Sequence, residues 1–65
     1  MLYTDIYNDV FKFHKERMRA PMTPEYWEST IDMMTQICAK YDNSDFVADL
    51  LSAVFVELER RKEHG

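Results

Sequence analysis

Cys38, His14 and His64 are the side chains of this 65-residue chain with the greatest scope for nucleophilic, general-base or metal chemistry. A nucleophilic cysteine needs a base or a cationic neighbourhood to hold the thiolate. Cys38 instead lies between Met34 and Tyr41 on an apolar line at helical spacing, so it reads as a buried, inert thiol. His14 could serve as a general base or a pH switch. No carboxylate or serine is placed by sequence spacing to work with it, and it reads as a partly buried structural histidine. His64 reads as a frayed terminal residue. Neither histidine has a ligand cluster around it, so no metal is expected.

Paired carboxylates at Glu25/Glu28, Asp45/Asp49 and Glu57/Glu59 could bind Mg²⁺ or Ca²⁺ or carry out acid–base work. No EF-hand loop accompanies them, and the first two pairs sit where a helix dipole favours negative charge. Gly65 is the single glycine, so a backbone cradle for phosphate is not expected, and no CxxC, HExxH or nucleophile elbow occurs. The expectation is a protein without catalytic residues or cofactors.

Lys12, Lys15, Arg17 and Arg19, interleaved with Tyr7, Phe11 and Phe13, could form a nucleic-acid face. The net charge of −4 opposes phosphate neutralisation. A three-helix DNA binder carries its basic residues on a recognition helix, whereas the last helical segment here begins acidic and is mostly apolar. Nucleic-acid binding therefore ranks behind protein binding.

The elements that must position these residues are helical. In Ser44–Lys62, Phe46, Val47, Leu50, Leu51, Val54, Phe55 and Leu58 follow a helical period and cover about half the circumference. Asn43 or Ser44 can cap this helix, Asp45 and Asp49 suit its start, and Arg60, Arg61 and Lys62 suit its end. Glu57 and Arg61 stand at i,i+4 in the favourable order. Near the start of the chain, Thr4 can cap a helix over 5–19. Ile6, Val10 and Phe13 form its central stripe, broadened by Leu2, Tyr3, Tyr7, Phe11 and Met18. Pro21 ends it. Thr23-Pro24-Glu25 opens a second helix over 24–40, with Thr23 as cap and Pro24 in the first turn. Its line is Trp27, Ile31, Met34, Cys38 and Tyr41, widened by Tyr26, Met33 and Ile37. Asn43 is the residue best able to take a left-handed conformation in the turn that follows.

Three helices with short connections predict an all-α single domain, a short antiparallel three-helix bundle, closed by default with an open arrangement as the alternative. Each apolar arc is near 180°, wider than the ~100° that suffices for a core-facing helix. The excess should line a dimer interface or form an exposed patch for a partner. Met18 and Met22, flanking the proline break, are the methionines expected at the surface. Trp27, Tyr26 and Tyr41 are expected as core or interface anchors. A chain this short is marginally stable alone. With one cysteine it has no internal disulfide, which leaves self-association or a larger partner as support. The first residues lack the basic and apolar regions of a signal peptide, and no run approaches a membrane span. The protein is expected in the cytoplasm.

The runs Tyr-x-Asp-Val-Phe-Lys-Phe-His-Lys at Tyr7–Lys15, Tyr-Trp-Glu at Tyr26–Glu28, Ile-Cys-x-Lys-Tyr at Ile37–Tyr41 and Phe-Val-x-Asp-Leu-Leu-x-Ala-Val at Phe46–Val54 resemble small helical proteins encoded by phages and prophages of Gram-positive bacteria. The resemblance covers most of the chain and implies context, not mechanism. Short acidic phage proteins often occupy surfaces of host machinery, CRISPR effector nucleases included. The first expectation is thus a non-enzymatic, acidic protein-binding module that inhibits or modulates a host protein with a basic surface. Its partner-binding residues would be Glu25, Glu28, Asp32, Asp42, Asp45 and Asp49, with Met18 and Met22 as apolar anchors. A structural homodimer is the second expectation and a small DNA-binding regulator the third.

Overall fold

The computed structural model describes residues 2–64, with side chains as far as Arg61. The expectations for Lys62, His64 and Gly65 lie outside those described side chains. Helix α1 spans Tyr3–Arg19, α2 spans Tyr26–Lys40 and α3 spans Asp45–His64. Each helix packs against both others, giving a closed three-helix bundle of 35 × 17 × 16 Å. Tyr3 and Tyr7 near the start of α1 meet Phe46 near the start of α3, and Arg61 near the end of α3 reaches Ala20 just past α1. Helices α1 and α3 are therefore parallel, with α2 antiparallel to both.

The core is built from one narrow line per helix. Ile6, Val10 and Phe13 of α1 meet Val47, Leu51, Val54 and Leu58 of α3, and Tyr41 closes the end of α2. Trp27, Met33, Met34, Ile37, Cys38, Phe46 and Leu50 pack half-buried around them. The core closes within one chain, so a second copy would add to it and would not complete it.

Helix α1 starts earlier than expected. Leu2 occupies the cap position, its carbonyl accepting from Asp5 and Ile6, and Thr4 lies inside the first turn. It ends where Pro21 requires, with Ala20 extended at φ −67°, ψ 144°. Helix α2 begins at Tyr26, two residues later than expected. Pro24 and Glu25 form a turn closed by the Tyr26 N–H on the Thr23 carbonyl (3.0 Å), and Thr23 acts through its backbone.

The expected line on α2 reaches the core through Trp27, Met34, Cys38 and Tyr41, and Ile31 is the member that does not. Ile31 is 52% exposed while Thr30 is fully buried. Met33 and Ile37, expected to widen the face, pack against the core as well, and Thr30 is buried one turn on from the buried Tyr26. A polar residue tolerates that place because its hydroxyl has partners: Thr30 Oγ1 donates to the Tyr26 carbonyl at 2.7 Å and accepts from Arg17 at 3.2 Å.

The turn after α2 is a Schellman closure. The Asn43 N–H donates to the Cys38 carbonyl (2.7 Å) and the Asp42 N–H to the Ala39 carbonyl (3.3 Å). Both Asp42 (φ 56°) and Asn43 (φ 55°) are left-handed. Asn43 was expected there; Asp42 occupies the position usually given to glycine. The Ser44 carbonyl then accepts from the Ala48 N–H to start α3.

Candidate functional site

The pole where α1 ends, α2 begins and α3 ends is held by polar contacts. Arg17, expected on a basic surface, is 6% exposed. Its guanidinium grips the Glu16 carboxylate through two nitrogens (2.8 and 3.1 Å) and donates to Ser29 Oγ (3.0 Å) and Thr30 Oγ1 (3.2 Å). The Glu16 bond holds the guanidinium above its ordinary pKa, and the same bond holds Glu16 below the usual carboxylate range. Tyr26 is buried, and its hydroxyl donates to the Arg17 carbonyl (2.8 Å). Arg61 donates to that carbonyl (2.6 Å) and to the Ala20 carbonyl (3.0 Å). Two guanidinium groups thus stand near the Tyr26 ring, Arg17 at 5.1 Å and Arg61 at 5.8 Å from its centre.

This corrects the expected Glu57–Arg61 pair. Arg61 instead supplies donors to carbonyls that the end of α1 leaves without helical partners. Glu57 pairs with Arg60 at 2.8 Å. The knot is structural: among the described residues no buried side-chain nitrogen or oxygen lacks a partner.

At the opposite pole Asp9 joins α1 to α2. Its carboxylate accepts from Lys40 (2.7 Å) and from the Tyr41 hydroxyl. The Lys40 bond, then the Tyr41 bond, hold Asp9 below the usual carboxylate range, and Asp9 in turn raises both partners. From this pair toward Glu16 runs an open groove of about 540 Å³, floored by Phe13, Met33 and Ile37 and rimmed by Lys12, Glu16 and Gln36.

The surface feature that stands out is the outer side of α1. Leu2 (68%), Tyr3 (62%), Tyr7 (54%) and Phe11 (64%) are exposed, and Met18 (42%) continues the line. Tyr3, Tyr7, Phe11, His14 and Met18 recur at i, i+4, i+8, i+11 and i+15, so they form one stripe along the helix. The stripe lies beside the line that packs into the core. Phe46 of α3 supports it, edge-on to Tyr3 (5.3 Å) and Tyr7 (5.9 Å). Lys15 is exposed beside Phe11, while Lys12 lies farther round the helix on the rim of the α2 groove.

The expected acidic residues are exposed but not gathered. Glu25, Glu28 and Asp32 lie at or within the first half of α2, at one pole, whereas Asp42, Asp45 and Asp49 lie at the turn and start of α3, at the other. At ~1.5 Å per residue the length of α2 separates the groups by roughly 20 Å. Met18 and Met22 are both 42% exposed, Met18 on the stripe and Met22 beside the arginine knot, its sulfur 4.0 Å from Arg61. Only three of the four basic candidates for nucleic acid remain at the surface, because Arg17 turns inward. Cys38 and His14 are half-buried. Among the described residues no group of three or more His, Cys, Asp or Glu could hold a metal ion, and no helix is long and apolar enough to cross a membrane.

Sequence spacing named every residue of the stripe but only as a broadening of the core arc; the signal that could have singled it out is its offset from Ile6, Val10 and Phe13. Comparison with protein-family models, curated proteins and solved structures finds no match to this chain.

Proposed function

We propose that this chain is a non-enzymatic protein-docking module that presents the outer side of α1 to its partner. The supporting observation is the aromatic and methionine stripe Tyr3, Tyr7, Phe11 and Met18, exposed beside a core that is already closed. Leaving this much aromatic surface in water serves no folding purpose, and such patches mark interaction sites. Tyr and Phe give large contact area with few rotatable bonds, and Met18 adapts to irregular surfaces. The inhibitor reading, a phage-encoded modulator of a host protein such as a CRISPR effector nuclease acting in the cytoplasm, rests on the sequence resemblance and on the acidic balance.

A second reading is favoured by the outer side of α2. Glu25, Glu28 and Asp32 are exposed there, and none forms an ion pair among the described residues. They would suit a partner with a basic surface. One experiment separates the two. The tagged chain is used to capture proteins from a Gram-positive bacterial lysate, in parallel with Tyr7→Lys/Phe11→Lys and with Glu25→Lys/Glu28→Lys/Asp32→Lys variants. Loss of the retained proteins with the first variant alone, at unchanged helical content, supports docking through α1. Loss with the second alone moves the site to α2. Retention by both would remove both readings.

A further inference from the structure

We infer that the partner seated on the outer side of α1 brings an acidic, amphipathic segment, whose carboxylates meet Lys12, Lys15 and Arg19 while its apolar side covers Phe11 and Met18. This rests on the docking role of α1 and names the chemistry of its occupant.

The observation that carries it is where the unpaired cations stand. Of the lysines and arginines with described side chains, Arg17, Lys40 and Arg60 are each paired with a carboxylate, and Arg61 is taken up by the Arg17 and Ala20 carbonyls. The others, Lys12, Lys15 and Arg19, are exposed and join no ion pair among the described residues. All of them line one shallow hollow of about 230 Å³ on α1, together with Glu16. That carboxylate does not neutralise them, because both its oxygens are held by Arg17, at 2.8 and 3.1 Å. Lys12 stands near Asp9, but Asp9 already accepts from Lys40 and the Tyr41 hydroxyl. Among the described residues, a chain of net charge −4 thus gathers its unpaired positive charge at one place.

Folding does not account for the cluster. Lys12 and Lys15 stand at i,i+3 and Lys15 and Arg19 at i,i+4, spacings at which like charges destabilise a helix. The helix dipole favours Arg19 in the last turn but fades before Lys12 and Lys15. An opposite charge laid across the cluster removes the repulsion.

The cluster also adjoins the stripe. Phe11 and Lys15 stand at i,i+4 and Lys15 and Met18 at i,i+3, so the cations run beside the exposed ring and thioether. From Lys12 to Arg19 the helix rises only ~10 Å, at ~1.5 Å per residue. A segment with carboxylates over that distance and apolar side chains next to them satisfies the charges and the stripe together. The same span argues against a longer polyanion. A nucleic-acid strand or an anionic bilayer carries its charge well past the cluster. Such a ligand meets exposed Asp5 near the start of α1, and exposed Glu25 and Glu28 at the pole where α1 ends. A short acidic segment places charge only opposite the cations.

Selection of a displayed library of random peptides on the immobilised full chain tests this. One selected peptide is then synthesised, and its affinity is measured for the wild type, for Lys12→Gln/Lys15→Gln/Arg19→Gln and for Arg60→Gln on α3. Glutamine preserves helix propensity, and circular dichroism checks the folding of each variant. The expected result is enrichment of peptides that combine Asp or Glu with apolar residues. The triple variant should weaken binding of the selected peptide about tenfold or more, as should ~1 M salt, while Arg60→Gln leaves it unchanged. Enriched peptides with no excess of Asp or Glu, or an affinity that the triple variant leaves untouched, overturn the acidic occupant. If Tyr7→Lys/Phe11→Lys abolishes the binding of those peptides, the docking role of α1 stands without it. A single-stranded oligonucleotide or phosphatidylserine vesicles bound more tightly than the selected peptide, and released by the triple variant, overturn it in favour of that polyanion. Absence of any enrichment overturns it too, and docking through α1 is then judged by the capture experiment alone.

Discussion

Replacing Arg17 separates the two ways a buried arginine can stabilise a bundle. Its side chain is almost wholly covered, its Nη1 donates to Ser29 Oγ and Thr30 Oγ1, and its guanidinium stands 5.1 Å from the Tyr26 ring centre. Arg17→Ala removes both inter-helix bonds and the packed stem. Hydrogen bonds to a charged group contribute about 1.5–3 kcal/mol, and the loss is partly offset because the cation no longer has to be desolvated. Lost stem packing adds about 1 kcal/mol. The net expectation is a loss of about 2–3 kcal/mol, or roughly 10–20 °C in Tm for a domain of this size. Arg17→Met keeps most of the stem and removes the charge. It strands no hydroxyl, because Ser29 and Thr30 keep their bonds to the Tyr26 carbonyl at 3.0 and 2.7 Å. Its cost should be about 1 kcal/mol or less. Thermal melts followed by circular dichroism at fixed concentration read both. An alanine variant melting within about 3 °C of the wild type would refute the burial argument. A methionine variant as damaged as alanine would show that the stem contributes nothing.

Further outcomes follow from the two αL positions and the Asp9 junction. Asp42→Gly relieves a left-handed aspartate at the end of α2 and should stabilise by about 0.5–1 kcal/mol, read as a rise in Tm; a fall would mean that the Asp42 side chain has a role the backbone argument misses. Asp9→Asn should lower Tm at neutral pH. Because the folded pKa of Asp9 is depressed, its stabilisation is present above the unfolded value of about 3.9 and is lost as pH falls through the lower folded value. The gap between wild type and variant should therefore stay constant from neutral pH to about 4 and close below it; a gap that closes nearer pH 6 would assign the effect to another group.

The helices, the proline break and the closed bundle were legible in local signals, since periodicity and Pro21 act within a few residues. Which part of each wide arc faces the core was not. On α2 the apolar count favoured Ile31, yet the core took Thr30, because Arg17 from another helix supplies its partner. Arg17 and Arg61 read as surface cations for the same reason: each is fixed by acceptors on another helix or just beyond its end, and spacing along one helix is blind to those. Asp42 was missed because a Schellman closure needs left-handed backbone after Tyr41 whichever residue stands there. The acidic candidates were correctly expected at helix starts, but antiparallel packing sends the starts of α2 and α3 to opposite poles. The α1 stripe was visible as excess, and only its separation from Ile6, Val10 and Phe13 in three dimensions shows it to be a face of its own.

The most direct test of that face is the backbone amide NMR spectrum of the unmodified chain titrated with the protein it retains from lysate. With the stripe as the docking surface, the titration should shift amides of α1 from Tyr3 to Met18, together with those around Phe46, and leave α2 around Glu28 and Asp32 unchanged. A spectrum that the titration leaves unchanged, or changes confined to the outer side of α2, would contradict it.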